Sequence, residues 1–291
     1  MTTVGLLHPG EMGAAVGGCL VTVGHTVLWD PSGRSRATTG RALAAELSGA
    51  GFDALISRAE VIFSICPPHA ALDVARTVAS TGYDGLYVDA NAISVATAEQ
   101  VAAVVTGGGA EYVDGGIIGP PPEAAGHTRL YLSGPRAREV AALFGRGSAL
   151  EARIAAADTR GPGGLFAASA VKMAYAAWTK GTSALLLACR ALARSEGVEN
   201  TLLAEWKQSQ QALSDRSEQA ATSAALKGWR WVGEMEEIAA SMTAAGLPAG
   251  FHEAAAEIYD RASRAQAPPV PLRPGKPSDA SSLETILENL R

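Results

Sequence analysis

"VGLLHPGEMGAAVG", residues 4–17, decides how the chain begins to fold. Its first residues read as a short strand, Gly13 to about Val23 reads as a helix of small residues, and the turn between them stands where nucleotide-binding turns stand. A G-x-G-x-x-G turn would open on glycine at position 8. Here His8-Pro9-Gly10-Glu11-Met12-Gly13 keeps the second and third glycines and replaces the first. Gly10 lets backbone approach a pyrophosphate, Gly13 lets helix and strand pack closely, and the helix start supplies free N–H groups. Pro9 fixes φ near about −65° and offers another route into the turn. Ordinary strand–turn–helix units share such a motif, so its surroundings must decide.

Up to about residue 160, short apolar runs alternate with Ala-rich helical stretches: "TVGLLHP", "TVLWD", "VIFSICP", "LYVDAN", "EYVDGG" and "RLYLSG" read as strands. This βαβ alternation predicts a doubly wound parallel sheet of Rossmann type. The second strand ends on Asp30, placed to meet a ribose 2′-hydroxyl, as in an NAD site. Arg34 and Ser35 follow at once and suit a 2′-phosphate, because a guanidinium donates to it bidentately. NADP is therefore preferred to NAD. After "TRGPGG" the strand signals stop, and Leu165 to about Arg194 predicts one helix of ~45 Å. The rest reads as helical, with punctuation at Gly197, Gly228 and "AGLPAG". The expected organisation is an α/β domain over residues 1–162, an all-helical domain over 163–265, and a proline-rich tether with a short C-terminal helix over 266–291. In that last stretch Ser281-x-x-Glu284 spells a capping box.

Composition narrows the function classes. Of 291 residues 47% are hydrophobic and 18% charged, as in a globular protein. A net charge of −5 with scattered arginines offers no basic field for nucleic acid. No apolar run approaches ~20 residues, so no membrane span is expected and a cytoplasmic setting fits. Cys19, Cys66 and Cys189 lack disulfide or zinc spacing, and the five histidines lack metal-ligand spacing, so no metal is expected. No G-x-S-x-G elbow supports hydrolysis. Trp229 and Trp231 read as packing, interface or cleft residues, and His252 as a helix-start residue.

The ordered series "HPGEMG", "LWDPSGRS", "ICPPHA", "YVDANAIS", "YVDGGIIGPP", "GPGGLFAASAVKMAYAAWTKG" and "GLPAGFHEAAAEIYDRA" resembles the 6-phosphogluconate dehydrogenase-like β-hydroxyacid dehydrogenase superfamily, in its branch with a poorly characterised helical C-terminal domain. The resemblance implies a pyrophosphate site over His8, Pro9, Gly10, Glu11, Met12 and Gly13, with Asp30, Arg34, Ser35, Cys66 and Pro67 completing the cofactor site. It implies a substrate site at Asn91, Ala92, Ile93, Ser94, Gly115 and Gly116, and Lys172 as general acid/base. It further implies a homodimer whose cleft is shared between chains, with Trp231 of one near Lys172 of the other. Two departures limit the inheritance: Asn91-Ala92 replaces Ser and Thr donors to a substrate carboxylate, and Lys172-Met173-Ala174-Tyr175-Ala176 replaces K-x-x-N-N. The expected activity is NADP-dependent hydride transfer between the nicotinamide and a small secondary alcohol or ketone. Imine reduction with Tyr175 or Lys172 as proton donor is the alternative, and a catalytically silent dinucleotide sensor a further one.

Overall fold

The computed structural model describes residues 1–155, 164–264 and 283–290. They form two compact units, Met1–Met173 and Ala174–Arg291. The first unit runs β1 (Thr3–Leu6), α1 (Glu11–Thr22), β2 (Thr26–Trp29), α2 (Arg36–Ala44), β3 (Ser48–Gly49), α3 (Phe52–Arg58), β4 (Val61–Ser64), a 3-10 turn (Pro68–Ala70), α4 (Ala71–Ala79), β5 (Leu86–Asp89), α5 (Val95–Gly107), β6 (Glu111–Ile118), β7 (Thr128–Ser133), α6 (Ala137–Ala142) and β8 (Leu150–Ile154). The sheet order is β3-β2-β1-β4-β5-β6-β7-β8.

Alternate residues of each strand feed two different cores. Val27 and Trp29 of β2 and Val61 and Phe63 of β4 pack on one face. Leu28 and Ile62 pack on the other. A strand buried on both sides needs apolar residues throughout, which is why these segments read as continuous runs. β3 is only two residues long and β8 is an edge strand with exposed alternate positions. Neither presents such a run, and both escape the sequence reading.

The first six strands are parallel, but β7 pairs antiparallel with β6. The expected parallel sheet thus carries one antiparallel step. The physical reason is the connection: residues 119–127 form no helix to carry the chain across, so it doubles back. β8 returns parallel to β7 after α6.

α7 (Ala167–Ser195) starts in the first unit and is close to the helix expected from the sequence. At 1.5 Å per residue it spans ~44 Å. The chain divides within it, so Lys172 lies in the first unit and Tyr175 in the second. The second unit continues with α8 (Glu199–Ser209), α9 (Leu213–Ala244), α10 (Gly250–Arg264) and α11 (Leu283–Asn289). Gly197 and Gly246 have φ of 72° and 71° and end α7 and α9 as expected of glycine at such stops. Gly228 corrects the sequence reading. It does not punctuate but lies buried inside α9, where a Cβ would meet the Tyr259 carbonyl of α10 at 2.8 Å.

The proline-rich stretch and Ser281 lie outside the described residues. α11 sits on its own unit: Ile286 and Leu287 are buried, Arg261 Nη1 donates to the Leu290 carbonyl at 2.9 Å, and Arg194 pairs with Glu288. Among the described residues no helix is long and apolar enough to cross a membrane.

Candidate active site

The sheet order reverses at β1, which has β2 on one side and β4 on the other. That switch point opens a crevice at the carboxyl ends of the strands, and the loop from Leu7 to Gly10 stands at its edge. Gly13 is demanded by the fold: a Cβ there would lie 2.1 Å from the His8 carbonyl oxygen. Gly10 is different. Its φ of −67° suits any residue, and a Cβ would meet nothing within 4 Å. The space before it is open, at the N-cap of the twelve-residue α1, whose first N–H groups have no partner within the helix.

His8 occupies the place of the missing glycine and is half-buried. Its burial, then the Arg34 guanidinium, pull the imidazole down to about 4, so it is neutral near pH 7. Arg34 does not wave in solvent. Its Nη2 donates to the Leu7 carbonyl at 3.0 Å, which ties the β2–α2 turn to the end of β1. Arg34 Nε and His8 Nδ1 are buried without a hydrogen-bond partner. Asp30 Oδ1 accepts from Ser32 N at 3.0 Å. The exposed Ser35 caps α2, accepting from Thr38 N at 3.2 Å. An open glycine, a helix start, a fixed guanidinium with an unused donor and a nearby carboxylate fit a dinucleotide.

The ends of β4 and β5 are locked together by Asn91. It is 2% exposed; its Oδ1 accepts from Cys66 N at 2.6 Å, its Nδ2 donates to Ser64 Oγ at 3.1 Å, and its N–H donates to Asp89 Oδ1 at 3.0 Å. The structure places this side chain in the scaffold beneath the crevice. Burial pushes the Cys66 thiol up to about 12, so it is no nucleophile at neutral pH. Pro67 precedes the 3-10 turn, Ala92 is half-buried, Ile93 is core, and buried Ser94 caps α5 through Thr97 N at 3.2 Å.

Gly115 and Gly116 make room. A Cβ on Gly115 would meet the Asp89 carbonyl at 2.9 Å; one on Gly116 would meet the Ala168 carbonyl at 2.6 Å and Lys172 Cβ at 3.0 Å. The first turns of α7 therefore lie directly on β6. Lys172 Nζ donates to the Ile117 carbonyl at 2.8 Å, and burial alone pulls its ammonium down to about 8. In the second unit Tyr175 is 46% exposed. Trp231 is engaged inside that unit, edge-on to Tyr259 with centroids 5.0 Å apart and with Lys180 Nζ 5.6 Å from its ring. Lys180 also pairs with Glu234.

Sequence reading missed Asp114, Ser133 and Ser169. Asp114 is wholly buried, accepts from Ser133 Oγ at 2.8 Å and Ser169 N at 2.9 Å, and also from Ser169 Oγ. The available signal was a carboxylate inside the apolar part of a strand, just before Gly115-Gly116.

Residues 193–262 match a family described as Domain of unknown function (DUF1932). No curated protein matches the chain. Among solved structures, a conserved protein of unknown function, described as structurally similar to 3-hydroxyacid dehydrogenases, is 26% identical; the match covers 90% of this chain and 97% of that one, with a TM-score of 0.63. A 3-hydroxyisobutyrate dehydrogenase from Mycobacterium tuberculosis, solved with L-serine, is 18% identical over 100% of this chain and 99% of that one, with a TM-score of 0.67. A reductive aminase from Aspergillus terreus, solved with NADPH4, cyclohexanone and allyl amine, is 17% identical over 100% and 99%, with a TM-score of 0.55. The fold is that of the 3-hydroxyacid dehydrogenase-like proteins, which imine reductases share.

Proposed function

We propose that the chain is an NADP-dependent oxidoreductase acting on a small secondary alcohol or its ketone, with Lys172 as general acid/base. The observation that carries this reading is the half-buried Lys172, whose Nζ is held by the neutral Ile117 carbonyl at 2.8 Å, where burial pulls the ammonium down to about 8. Such a group is poised to exchange protons near neutral pH. A surface lysine that merely snorkels keeps its head in water. A dinucleotide held by Gly10, the start of α1 and Arg34 would supply or accept the hydride. Lys172 supports that chemistry by moving the proton on the substrate oxygen: as amine it takes the hydroxyl proton in oxidation, and as ammonium it returns one in reduction. Asn91, Ser64 and Cys66 N hold the floor of the crevice rigid, and Gly116 lets Lys172 stand close to β6.

Ranking small ketones and hydroxy acids by nicotinamide absorbance tests the activity, with Lys172→Ala as control. A wild-type protein that binds NADPH but turns over nothing across such a panel supports the sensor reading. Imine reduction is favoured by one observation, the exposed phenol of Tyr175 one turn beyond Lys172. It predicts that Tyr175→Phe costs more imine turnover than Lys172→Ala does.

Cofactor choice rests on Arg34. The Leu7 carbonyl takes one of its donors, and the buried Nε has no hydrogen-bond partner, so the guanidinium keeps unused donor capacity. Losing a charge-assisted phosphate contact costs on the order of 1.5–3 kcal/mol, so Arg34→Ala weakens NADPH about tenfold or more. NADH affinity falls far less, through the loosened Leu7 tie alone. Titration of both cofactors by nicotinamide fluorescence reads the ratio; equal losses overturn the NADP assignment.

The chain works as a homodimer. Tyr175, Trp178, Leu185 and Leu192 on α7 are 46%, 67%, 47% and 63% exposed and recur at helical spacing on one face. An apolar stripe of this length calls for a second copy. Trp178→Asp with Leu192→Asp yields a monomer by sedimentation, and an active site shared between chains loses activity with it. A wild-type protein that is monomeric and fully active at micromolar concentration contradicts both statements.

A further inference from the structure

The first two turns of α7 are bound to β6 and β7 at three points. Asp114 accepts from Ser169 N at 2.9 Å and from Ser169 Oγ. Ser133 Oγ, whose hydrogen has Asp114 Oδ2 at 2.8 Å and the Leu165 carbonyl at 3.1 Å as acceptors, itself accepts from Ala168 N at 3.0 Å. Gly116 lies against Ala168 and Lys172 Cβ, and the Ile117 carbonyl receives Lys172 Nζ. Asp114, Ser133 and Ser169 are 0%, 2% and 1% exposed. A buried carboxylate is costly, and burial raises Asp114 while its hydrogen bonds to Ser169 and Ser133 oppose that rise. An apolar residue would serve packing alone at less cost, whereas this one satisfies N–H groups at a helix start that have no partner within the helix.

We propose that Asp114 is a positioning residue for Lys172: with Ser133 it grips the backbone of Ala168 and Ser169, and so fixes the ammonium group one turn further on at the Ile117 carbonyl. The proposal rests on the reading of Lys172 as acid/base for its functional meaning. It concerns where Lys172 stands, so it is tested without a substrate.

The titration of Lys172 reports its place. Held against β6 it is buried; released into water it behaves as an ordinary lysine, so a loosened grip raises its midpoint. Electrostatics alone has the opposite sign, because deleting a negative charge near an ammonium lowers the midpoint. Competitive acetylation of the full-length protein across the alkaline range, read at Lys172 by mass spectrometry with exposed Lys207 as internal reference, follows it directly. Wild type is expected to titrate near 8. Asp114→Asn is expected to raise the midpoint by about one pH unit or more. Ser169→Ala removes one hydroxyl, shifts it less in the same direction, and carries the test if Asp114→Asn does not fold. Ser169→Thr keeps both donors and restores the wild-type midpoint.

Folded Asp114→Asn or Ser169→Ala protein with an unchanged or lowered midpoint overturns the proposal. Its failure is distinct from failure of the proposed function. Should the midpoint rise in these variants while Lys172→Ala keeps full turnover, the grip stands and the acid/base assignment falls.

Discussion

Lys172→Met is expected to abolish most turnover and to make the protein more stable. The two effects share one cause. An ammonium that titrates near 8 in the fold and near 10.5 in the open chain destabilises the folded state at neutral pH, by on the order of 3 kcal/mol. Methionine fills a similar volume without a charge. It forfeits the bond to the Ile117 carbonyl, worth about 1 kcal/mol, so a net gain of roughly 2 kcal/mol remains. Denaturant unfolding at neutral pH measures it. The sign of the pH dependence is fixed as well. Between about 8 and 10.5 the unfolded chain binds the proton that the folded chain has released, so wild-type stability rises with pH through that window. The methionine variant lacks this rise. Turnover should fall by roughly 10²-fold or more, with cofactor affinity nearly unchanged. In the oxidative direction, wild-type kcat climbs with pH to a plateau, with a midpoint near 8 if the complex resembles the free protein. A variant less stable than wild type, with kcat intact, would place Lys172 in the scaffold.

Gly10→Ala and Gly13→Ala, three residues apart, fail in opposite ways. The methyl at Gly13 meets the His8 carbonyl at 2.1 Å, and both atoms are anchored by backbone. Loop or helix must move by more than an ångström, at a cost of about 1–3 kcal/mol or more. The methyl at Gly10 meets nothing in the chain, and its φ of −67° is ordinary. Alanine there loses some N-cap preference and gains from a stiffer unfolded chain, so stability stays within about 1 kcal/mol of wild type. If the loop holds the proposed pyrophosphate, the methyl fills the space before the start of α1, and NADPH affinity is expected to drop tenfold or more. Thermal melts and cofactor titrations on the same two preparations separate the outcomes. Unimpaired NADPH binding by Gly10→Ala removes the dinucleotide from this loop.

The parts of the fold legible in the sequence are those where burial is symmetrical. Val61 to Ser64 and Leu86 to Asp89 are buried on both sides and leave no polar alternation to misread. The reversal of β7 was hidden because the deciding fact, the lack of a helix over residues 119–127, lies between the strands. Gly228 misled for a related reason: glycine marks both helix ends and close helix contacts, and only its partner at Tyr259 tells them apart. At the candidate site, residue type indicated Arg34 and the family resemblance indicated Lys172, but neither could give side-chain direction. Arg34 spends a donor on Leu7, and Asn91 turns into the scaffold. Asp114 was passed over because Ser133 and Ser169 lie 19 and 55 residues away.

His8 puts a titratable ring into the opening loop, and the fold suppresses its charge. Covered by the fold and faced by Arg34, its ring stays uncharged until the medium reaches about pH 4. The ring therefore adds no titration of its own to nucleotide capture across the working range of most assays. Kinetic profiles then become diagnostic: an alkaline limb in the rate that leaves the Michaelis constant for the nucleotide flat points to the lysine on α7. A loop histidine with an ordinary imidazole pKa would blur the two, since its positive charge would begin to attract phosphate just as the medium turned mildly acidic.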